Sequence, residues 1–522
     1  MKSQSERGFD FGDLFIFELA NNHQGSVEHG KRVIREIAAV AKRAGVKGAF
    51  KLQFRELETF IHPDYRESRE NKHIPRFLST RLPSIQFAEL VGEIRSQGMI
   101  PIATPFDELS VDLLVDLGID IVKVGSCSAQ DWPLLEKVAD AGKPVICSTG
   151  GLTVKEIDKV VSFFQHRGVQ FALMHCVAIY PTPGPQLHLN QIEVMRDRYP
   201  GVTIGFSTHE HPSNLTAVGL AYAKGARIFE KHVGVPMGDI ELNAYSASPP
   251  QVAAWLEAYR EAVKSCGDNG QRPIPEQEIS DLRSLMRGVY AKEDIKAGTV
   301  LHRSDVFFAI PLQEGQLSSG AWKEGLKVDR DCPAGQPLSA SLHVSKPGKK
   351  EIIYSAIHEI KAMLNNARIP LGHDFAVELS HHFGVERFHE IGCTIIECIN
   401  RPYAKKVIVQ MPGQWNPVHY HKIKDETFQV LSGTLNVDIE NKKKVLEPGD
   451  SLWVPRGVWH AFGTETGVIF EEISTAILND DSFYIDRAIS SLPRDQRKTY
   501  LLNWGRHQFD QLEDRDGDDQ DS

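Results

Sequence analysis

Residues 14–54 read LFIFELANNHQGSVEHGKRVIREIAAVAKRAGVKGAFKLQF, and this stretch decides the first unit of the fold. The apolar run at 14–19 predicts a strand, and the amphipathic pattern over 27–43 predicts a helix. A second β-rich run over 48–52 predicts another strand. A strand, a helix and a strand in this order form a crossover unit whose two strands are parallel.

The same alternation of strands and helices continues to about residue 266. Further strands are predicted at 100–103, 121–124, 144–147, 169–174, 203–205 and 227–230. Further helices are predicted at 84–96, 132–141, 154–167, 212–224 and 251–264. Eight successive strand–helix units predict an α/β fold of the (β/α)8 TIM-barrel type. A doubly wound open sheet is the alternative, but it would rarely need eight successive units.

Two polar stretches rich in Gly, Pro or Lys, at 267–278 and 345–351, predict linkers. We therefore expect a TIM-barrel domain at 1–278, a small β-rich domain at 284–345, an all-β domain at 351–480 and a C-terminal tail at 481–522. Residues 513–522 are acidic and lack apolar side chains, so this part of the tail is expected to be disordered.

The composition of the 522 residues excludes several classes of protein. The formal net charge is −10, which argues against nucleic acid as a partner. Seven scattered cysteines without a CxxC pair indicate free thiols in a reducing compartment. The start of the chain is polar, and no apolar run approaches the roughly 20 residues of a membrane helix. We therefore expect a cytoplasmic protein without a membrane partner.

Polar or ionisable side chains lie at every predicted strand end of the barrel, and in this fold those ends meet at one mouth. They include Glu18, Lys51, Gln53, Thr104, Lys123, Ser126, Ser148, Tyr180, Ser207, His209, Glu230 and His232. Two lysines and several hydroxyls suit an anionic group such as phosphate. His209 and His232, with Glu18 or Glu230 nearby, suit a divalent metal that polarises a carbonyl. The residues alone predict a barrel enzyme that handles an anionic substrate.

Eight segments in this order and spacing carry a more specific signal. They are FELANNHQGS (17–26), KLQF (51–54), IATPFD (102–107), VKVGS (122–126), PVICSTGG (144–151), LMHCVAIYPTP (173–183), IGFSTH (204–209) and FEKHV (229–233). Over about residues 15–344 the chain resembles the sialic acid synthase family, also called N-acylneuraminate synthases. The stretch RGVYAKEDIKAGTVLHRSDV (287–306) looks like the antifreeze-like (SAF) domain that follows the barrel in that family.

The resemblance implies a condensation of phosphoenolpyruvate with an amino-sugar aldehyde, giving a 2-keto-3-deoxy acid of the nonulosonic type and phosphate. It implies that phosphoenolpyruvate is held by Lys51, Thr104, Lys123, Ser126, Ser148 and Ser207. It implies a divalent metal, typically Mn, on His209 and His232, in a pocket also lined by Glu18, Gln53, Tyr180 and Glu230. Asp239 is the nearest candidate for a sugar-contacting aspartate. A homodimer with domain exchange is implied as well.

Four departures from the family pattern fall mainly on the side that faces the sugar, and one of them is a shortened segment after His232, where Asp239 is the nearest match. Ser128 stands where the family has a glutamate, Ala178 where it has an asparagine, and Ile310 where it has an arginine. An arginine offers five donors and an isoleucine offers none, so a polar group of the sugar loses its partner. We therefore expect a changed acceptor sugar, with the phosphoenolpyruvate and metal positions retained.

A second metal site is predicted in the all-β domain by two cupin motifs. Gly413-x5-His419-x-His421-x4-Glu426-x6-Gly433 matches the first, and Gly449-Asp450 followed by Pro455-x-Gly457-x2-His460 matches the second. His419 and His421 alternate on a strand, so both rings are expected to face the interior of the cupin barrel. With Glu426 and His460 they make a set that suits Mn, Fe, Ni, Co or Zn. Residues 401–422 also look like cupins of the lyxose isomerase type.

Three functions remain open from the sequence. The first is a synthase whose cupin is an accessory sugar-binding or regulatory module. The second is a bifunctional enzyme whose cupin isomerises or epimerises a sugar. The third is a non-catalytic sugar-binding protein, against which the intact Lys51, Lys123, His209 and His232 argue.

Overall fold

The computed structural model describes residues 8–67, 70–238, 240–268, 272–341, 348–372, 375–475, 481–501 and 504, without the side chain of Thr208. The chain divides into two compact units, Met1–Pro273 and Ile274–Ser522. No helix in these ranges is long and apolar enough to cross a lipid bilayer.

The first unit is a closed barrel of eight parallel strands, each hydrogen-bonded to the next and β8 to β1. The strands are β1 (Leu14–Glu18), β2 (Lys47–Phe54), β3 (Ile100–Pro105), β4 (Ile121–Val124), β5 (Val145–Ser148), β6 (Phe171–Cys176), β7 (Thr203–Thr208) and β8 (Ile228–His232). This topology confirms the predicted (β/α)8 barrel.

In the described part of the first unit, ten α-helices accompany the barrel strands. They are α1 (Val27–Ala44), α2 (Leu57–Phe60), α3 (His73–Ser79), α4 (Ser84–Ser96), α5 (Glu108–Asp116), α6 (Trp132–Asp140), α7 (Val154–His166), α8 (Asn190–Arg198), α9 (Thr216–Ala223) and α10 (Pro249–Cys266). No bounds were predicted for α2, α3, α5 and α8, which are short. The alternation of strands and helices did predict a helix after β3 and after β6, and α5 and α8 lie there. Helix α1 has a clear amphipathic pattern. The Ser26 side chain caps its N-terminus, and the helix ends at Gly45, which has the left-handed conformation.

The inner face of the barrel changes from apolar to polar along each strand. Alternate residues of a strand point to the same side, so Ile16 and Glu18 face inward together, as do Ile121 and Lys123. The apolar members form one buried cluster that includes Leu14, Ile16, Ala49, Ile102, Ile121, Ile146, Ala172, Met174 and Ile228. The polar members lie at the next inward-facing position of each strand, two residues further along, at the carboxyl ends of the strands.

Strand β7 is longer than the prediction of 203–205, because it continues through Ser207 and Thr208. The extra residues pair with β8, with Ser207 opposite Glu230. A strand end that carries polar residues is mistaken for a loop when burial is judged from apolarity alone. In this barrel those polar residues are held in the sheet, which fixes their direction.

The second unit begins with α11 (Glu276–Arg283) and a small β-rich part. Its strands β9 (Gly288–Ala291) and β10 (Val306–Ala309) form an antiparallel pair. A separate apolar cluster lies around this pair, with Val289, Leu301 and Leu338 among its members. The predicted β-rich domain at 284–345 is therefore β-rich over its described residues.

Helix α12 (Lys349–Asn366) precedes two facing antiparallel sheets. The seven-stranded sheet has the order β18-β15-β20-β13-β12-β11-β22 and the five-stranded sheet the order β17-β16-β19-β14-β21. The strands are β11 (Ala376–Ser380), β12 (Cys393–Asn400), β13 (Tyr403–Gln410), β14 (Trp415–His421), β15 (Glu426–Gly433), β16 (Leu435–Ile439), β17 (Lys442–Leu446), β18 (Ser451–Val454), β19 (His460–Gly463), β20 (Val468–Thr475), β21 (Ser482–Tyr484) and β22 (Lys498–Leu501).

Three stretches of this unit differ from the sequence prediction. Residues 276–278, predicted as the end of the first linker, lie in α11. Lys349–Glu351, predicted as part of a linker, is the first turn of α12, where the Glu351 carboxylate accepts the Gly348 N–H. Residues 481–501, predicted as tail, carry α13 (Arg487–Ser491), α14 (Arg494–Arg497) and two strands of the cupin sheets. The predicted disorder at 513–522 lies outside the described residues.

Candidate active site and metal centre

A buried network of two lysines and two carboxylates occupies the mouth of the barrel. Lys51 Nζ lies 2.6 Å from a Glu18 oxygen and 2.7 Å from a Glu230 oxygen. Lys123 Nζ lies 3.9 Å from the other Glu230 oxygen. These four side chains belong to β1, β2, β4 and β8, and all are at least 96% buried by residue area. The network joins four of the predicted site residues.

Hydroxyl groups surround the two ammonium groups. Lys123 donates to Ser148 Oγ, and Ser207 Oγ donates to Glu230 Oε1 at 3.1 Å. Thr104 Oγ1 is buried and has no hydrogen-bond partner among the described residues. A buried hydroxyl without a partner costs free energy unless a ligand completes it. This atom therefore fits a pocket that receives a polar ligand.

The loop after β5 is shaped by Gly150. Its N–H donates to Ser126 Oγ at 3.0 Å. A Cβ at this position would lie 2.8 Å from Ser126 Oγ and 3.2 Å from the Cys176 carbonyl oxygen. Glycine is required here because any side chain would displace Ser126, one of the predicted phosphoenolpyruvate ligands.

Burial and neighbouring charges separate the pKa values of the two carboxylates. Burial raises the pKa of Glu18, although the Lys51 charge opposes this shift. Burial also opposes ionisation of Glu230, but Lys123 and Lys51 outweigh it and lower the pKa of Glu230. Burial lowers the pKa of Lys123. Glu230 is thus the permanent counter-ion of two lysines, and Glu18 is the carboxyl that holds a proton more readily.

His209 and His232 stand beside this network with ring centroids 5.2 Å apart. Burial and His232 lower the pKa of His209 to about 3, and burial and Lys51 lower the pKa of His232 to about 3. The Val177 carbonyl can only accept, so His209 donates to it from Nδ1 at 2.9 Å and keeps its Nε2 lone pair free for a metal. Two neutral imidazoles fit a divalent cation.

Of two aromatic residues and an arginine at this mouth, Tyr180 was predicted as a site residue, whereas Tyr245 and Arg55 were not. The Tyr180 ring centroid lies 4.2 Å from that of His209, and the Tyr245 ring centroid lies 5.1 Å from that of His232. Arg55 donates to Gln53 Oε1 at 2.8 Å, and its guanidinium carbon lies 3.8 Å from the Phe106 ring centroid. Tyr245 lies in the irregular segment after β8, where no periodicity marks it. Arg55 had a usable signal, since it follows β2 two residues after Gln53.

The positions that depart from the family pattern are spread out. Ser128 is buried, whereas Ala178 is exposed and Ile310, in the second unit, is 61% exposed. Asp239, the candidate sugar-contacting aspartate, lies outside the described residues.

The cupin places three histidines together as a metal centre would need them. The ligand atoms of His419, His421 and His460 all lie within 4.8 Å of one another, and all three residues are buried. Each ring donates from Nδ1 to a backbone carbonyl, those of Pro417 (2.9 Å), Asp481 (2.7 Å) and Val458 (3.0 Å), respectively. These bonds fix the tautomer and leave every Nε2 lone pair available.

Glu426 completes this centre from the facing sheet. Its two oxygens lie 3.3 Å from His421 Nε2 and 3.3 Å from His460 Nε2. Burial opposes the charge on Glu426, but Lys424 and His421 outweigh it and lower its pKa well below the usual range. Three imidazole nitrogens and one carboxylate are a ligand set that fits a divalent transition metal, as the sequence predicted.

Asp481 fixes the loop that connects His421 to Glu426. No sequence motif predicted this role. Its carboxylate accepts the backbone N–H groups of Lys422 (2.9 Å), Ile423 (3.0 Å) and Lys424 (2.8 Å). Its carbonyl oxygen accepts from His421, as described above. The segment predicted as tail therefore orients a metal ligand from 60 residues away in sequence.

Known proteins match both parts of the chain. The family model described as the NeuB family matches residues 37–271, and that described as a cupin domain matches residues 406–471. N-acetylneuraminate-9-phosphate synthase of Drosophila melanogaster is 32% identical over 277 residues, covering 51% of this chain and 70% of that protein. Pseudaminic acid synthase of Campylobacter jejuni is 26% identical over 340 residues, covering 63% and 96%. A solved structure from Chromobacterium violaceum, described as spore coat polysaccharide biosynthesis protein E, is 46% identical with a TM-score of 0.61, covering 63% and 99%.

Proposed function

The chain belongs to the NeuB family of phosphoenolpyruvate-dependent synthases, and from this premise we propose that its barrel joins phosphoenolpyruvate to the open-chain aldehyde of an amino sugar. The products are a 2-keto-3-deoxy acid of the nonulosonic type and phosphate. In this function the enzyme is a transferase that forms a carbon–carbon bond.

One observation carries the proposal: Lys51 and Lys123 are both enclosed at the barrel mouth and both lie beside Glu230. The second carboxyl, Glu18, contacts only Lys51 of the two lysines, and burial raises its pKa. Buried ammonium groups are costly unless anions pair with them, so a protein retains them where they bind an anion in its working cycle. Phosphoenolpyruvate supplies a carboxylate and a phosphate. The hydroxyls of Thr104 and Ser148 beside the lysines supply neutral donors for the remaining oxygens.

The reaction follows from how these side chains hold the substrate. The enol carbon of phosphoenolpyruvate attacks the aldehyde carbon, and the aldehyde oxygen takes up a proton. Water adds to the carbon that carried the phosphate ester, and phosphate leaves with the bridging oxygen. Glu230 stays ionised between the lysines, while Glu18, whose pKa is raised by burial, exchanges a proton with the reacting groups.

His209 and His232 would hold a divalent metal, Mn by our expectation, which polarises the aldehyde when bound. Their neutral rings and the Val177 carbonyl that orients His209 support this role. The Tyr180 and Tyr245 rings lie against these histidines and give the aldehyde side of the pocket an aromatic wall.

The acceptor is the finer part of the proposal. A serine, an alanine and an isoleucine at positions 128, 178 and 310 replace a carboxylate, an amide and a guanidinium of the family pattern. A pocket that loses polar partners loses its preference for the groups they bound. We expect a deoxy or otherwise less polar sugar aldehyde without a phosphate group to be the better acceptor. A homodimer, with the SAF-like part lying over the partner's barrel, belongs to this proposal.

Acceptor-dependent phosphate release tests the function. The full chain with Mn2+ and phosphoenolpyruvate is assayed against a panel of hexosamine and deoxyhexose aldehydes. With at least one sugar, we expect phosphate to be released from phosphoenolpyruvate in an amount equal to the sugar consumed. Lys123→Ala should lose this activity. Lys155→Ala, at an exposed lysine of α7, should keep it. Phosphate release that is the same with and without every sugar would refute a synthase.

A further inference from the structure

The inner face of the seven-stranded cupin sheet carries ionisable side chains where a sheet interior is normally apolar. Three lie on neighbouring strands, namely Glu426 (β15), Glu472 (β20) and Lys406 (β13), and two more lie beyond β12, namely Glu378 (β11) and Lys498 (β22). Lys406 and Glu472 are directly opposite each other in the register. Desolvating such a row costs several kcal/mol per ion before pairing, by order of magnitude. Only Glu426 is used by the predicted metal centre.

This row faces a cavity of about 430 Å3 that is also lined by two of the three metal-site histidines, His419 and His421. Cavities of about 300–1,000 Å3 are the usual size for small-molecule sites. Most groups lining this one donate or accept hydrogen bonds, and Ser380, Asn416 and Tyr484 are further examples. The cavity therefore suits a small polyhydroxylated molecule rather than an apolar one. A metal that served only to stabilise the fold would need no such space beside it.

Two carboxylate clusters stand in the cavity wall. Glu472 Oε1 accepts from Lys406 at 2.9 Å and from Lys424 at 3.0 Å. Glu378 accepts from Lys498 at 2.6 Å and from the Tyr500 hydroxyl at 2.8 Å. Lys424 also contacts Glu426, so Glu472 is one side chain away from the metal centre.

The first cluster is arranged to take a proton from carbon and the second to move one between oxygens. Burial opposes ionisation of Glu472, but Lys406 and Lys424 outweigh it and lower its pKa, so the carboxylate is available as a base. Tyr500 has a hydroxyl proton and Glu378 an acceptor oxygen, which together make a relay. A divalent metal on the histidines would polarise a carbonyl bound between the sheets.

We infer that the cupin cavity is a second active site, in which Glu472 transfers a proton between the first two carbons of an aldose and so converts it to the ketose. Glu472 takes the proton from the second carbon, and the electron pair forms a double bond to the first carbon while the carbonyl oxygen gains a proton. The hydroxyl on the second carbon then loses its proton, and Glu472, whose proton exchanges with solvent at this stage, protonates the first carbon. The first carbon of the sugar is reduced while the second is oxidised, so no external oxidant or reductant is needed. A single base on one side of the sugar favours the ketose over the epimer.

This activity is separate from condensation in the barrel and does not depend on it. The test uses the full chain loaded with Mn2+, without phosphoenolpyruvate, and a panel of free aldopentoses and aldohexoses in D2O. Nuclear magnetic resonance follows ketose formation and deuterium at the first carbon. We expect at least one aldose to give a deuterated ketose. Absence of conversion of every sugar by the wild-type chain overturns the inference.

Matched variants test the role of Glu472. Glu472→Gln should slow conversion by at least about a hundredfold, the usual size of a general-base effect, while metal content and calorimetric sugar binding stay as in the wild type. Glu471→Gln is the control, since this neighbour on β20 pairs with Lys405 on the outer face at 2.8 Å. Conversion without deuterium uptake, or equal rates for the two variants, would overturn Glu472 as the base. Lys123→Ala in the barrel should leave conversion unchanged, and its loss would place the activity in the barrel instead.

Discussion

The barrel and the cupin each gather histidines beside buried lysine–glutamate networks, but they build those sites in different ways. In the barrel, the network joins ends of strands that are neighbours both in the chain and in the sheet, such as β1 and β2. In the cupin, His421 is oriented by Asp481 and Glu378 is held by Lys498, 120 residues away. At the barrel mouth burial raises the pKa of Glu18, so Glu230 is the carboxylate that stays ionised beside the two lysines. In the cupin burial opposes the charges of Glu378, Glu426 and Glu472, but the lysines beside them outweigh it and lower all three pKa values, so the charges around the cavity are paired. Similar side chains thus indicate anion binding in one region and sugar chemistry in the other.

The largest expected effect is the loss of condensation when a histidine of the barrel metal site, rather than of the cupin, is removed. His209→Ala or His232→Ala should lower kcat/KM for condensation by at least about a thousandfold, because polarisation of the aldehyde is worth several kcal/mol. His166→Ala, an exposed histidine at the end of α7, is the control. Near-normal turnover in either variant, with circular dichroism showing a folded protein, would remove the metal from the mechanism.

The lysines of the barrel should give the next effect. Lys51→Ala and Lys123→Ala are each expected to lower kcat/KM for phosphoenolpyruvate by at least about tenfold, equivalent to roughly 1.4 kcal/mol. Steady-state kinetics against phosphoenolpyruvate measures this, with Lys155→Ala as the surface control. If both variants kept the wild-type value, the anion site would have to lie elsewhere.

The third effect concerns which acceptor sugar the barrel prefers. N-acetylmannosamine should have a kcat/KM at least about tenfold below that of the best deoxy sugar aldehyde, because Ser128, Ala178 and Ile310 replace polar side chains of the family pattern. Competition between the two sugars in one reaction measures the ratio. A preference for N-acetylmannosamine over a broad panel would contradict the proposed acceptor but not the condensation itself.

In the cupin, Asp481 should control metal affinity. Asp481→Ala removes the acceptor of three backbone N–H groups and should weaken metal binding by about tenfold, a typical cost for groups that orient a ligand. Chelator competition measures this in a His232→Ala background, so that only the cupin site is counted. Asp486→Ala, which removes an exposed helix cap, is the control. Equal affinities for the two variants would show that the 481–501 segment does not support the site.

The smallest expected effect is a pH dependence of stability, to which a buried histidine in each region contributes in the same direction. Burial lowers the pKa of His23 in the barrel and of His382 in the cupin to about 4. An unfolded histidine titrates near about 6.5, so the unfolded chain binds more protons between these values and stability falls as pH drops from about 6.5 to about 4. His23→Gln and His382→Gln should each flatten this dependence in urea unfolding measured from pH 7.5 downward. An unchanged pH profile in both variants would contradict neutral buried histidines.

The sequence predicted the barrel better than the cupin for physical reasons. Parallel strand ends meet in chain order, so listing polar residues after each strand already brought Lys51, Lys123 and Glu230 together. The four cupin residues His419, His421, Glu426 and His460 were also predicted, because two local motifs carry them. Lys406 and Glu472 were not, since antiparallel pairing between distant strands leaves no local pattern. The role of 481–501 was missed because short polar helices and strands resemble a tail.

The most direct test of condensation in the barrel follows the fate of one carbon. The full chain is incubated with Mn2+, a sugar acceptor from the panel and phosphoenolpyruvate labelled with 13C at its third carbon. Nuclear magnetic resonance then distinguishes a vinyl carbon, a methyl carbon and a methylene carbon bonded on both sides. We predict that the label moves to a methylene carbon of a new 2-keto-3-deoxy acid, and that His460→Ala in the cupin leaves this unchanged. Label in the methyl group of pyruvate alone would show hydrolysis without a new carbon–carbon bond and would contradict the synthase function.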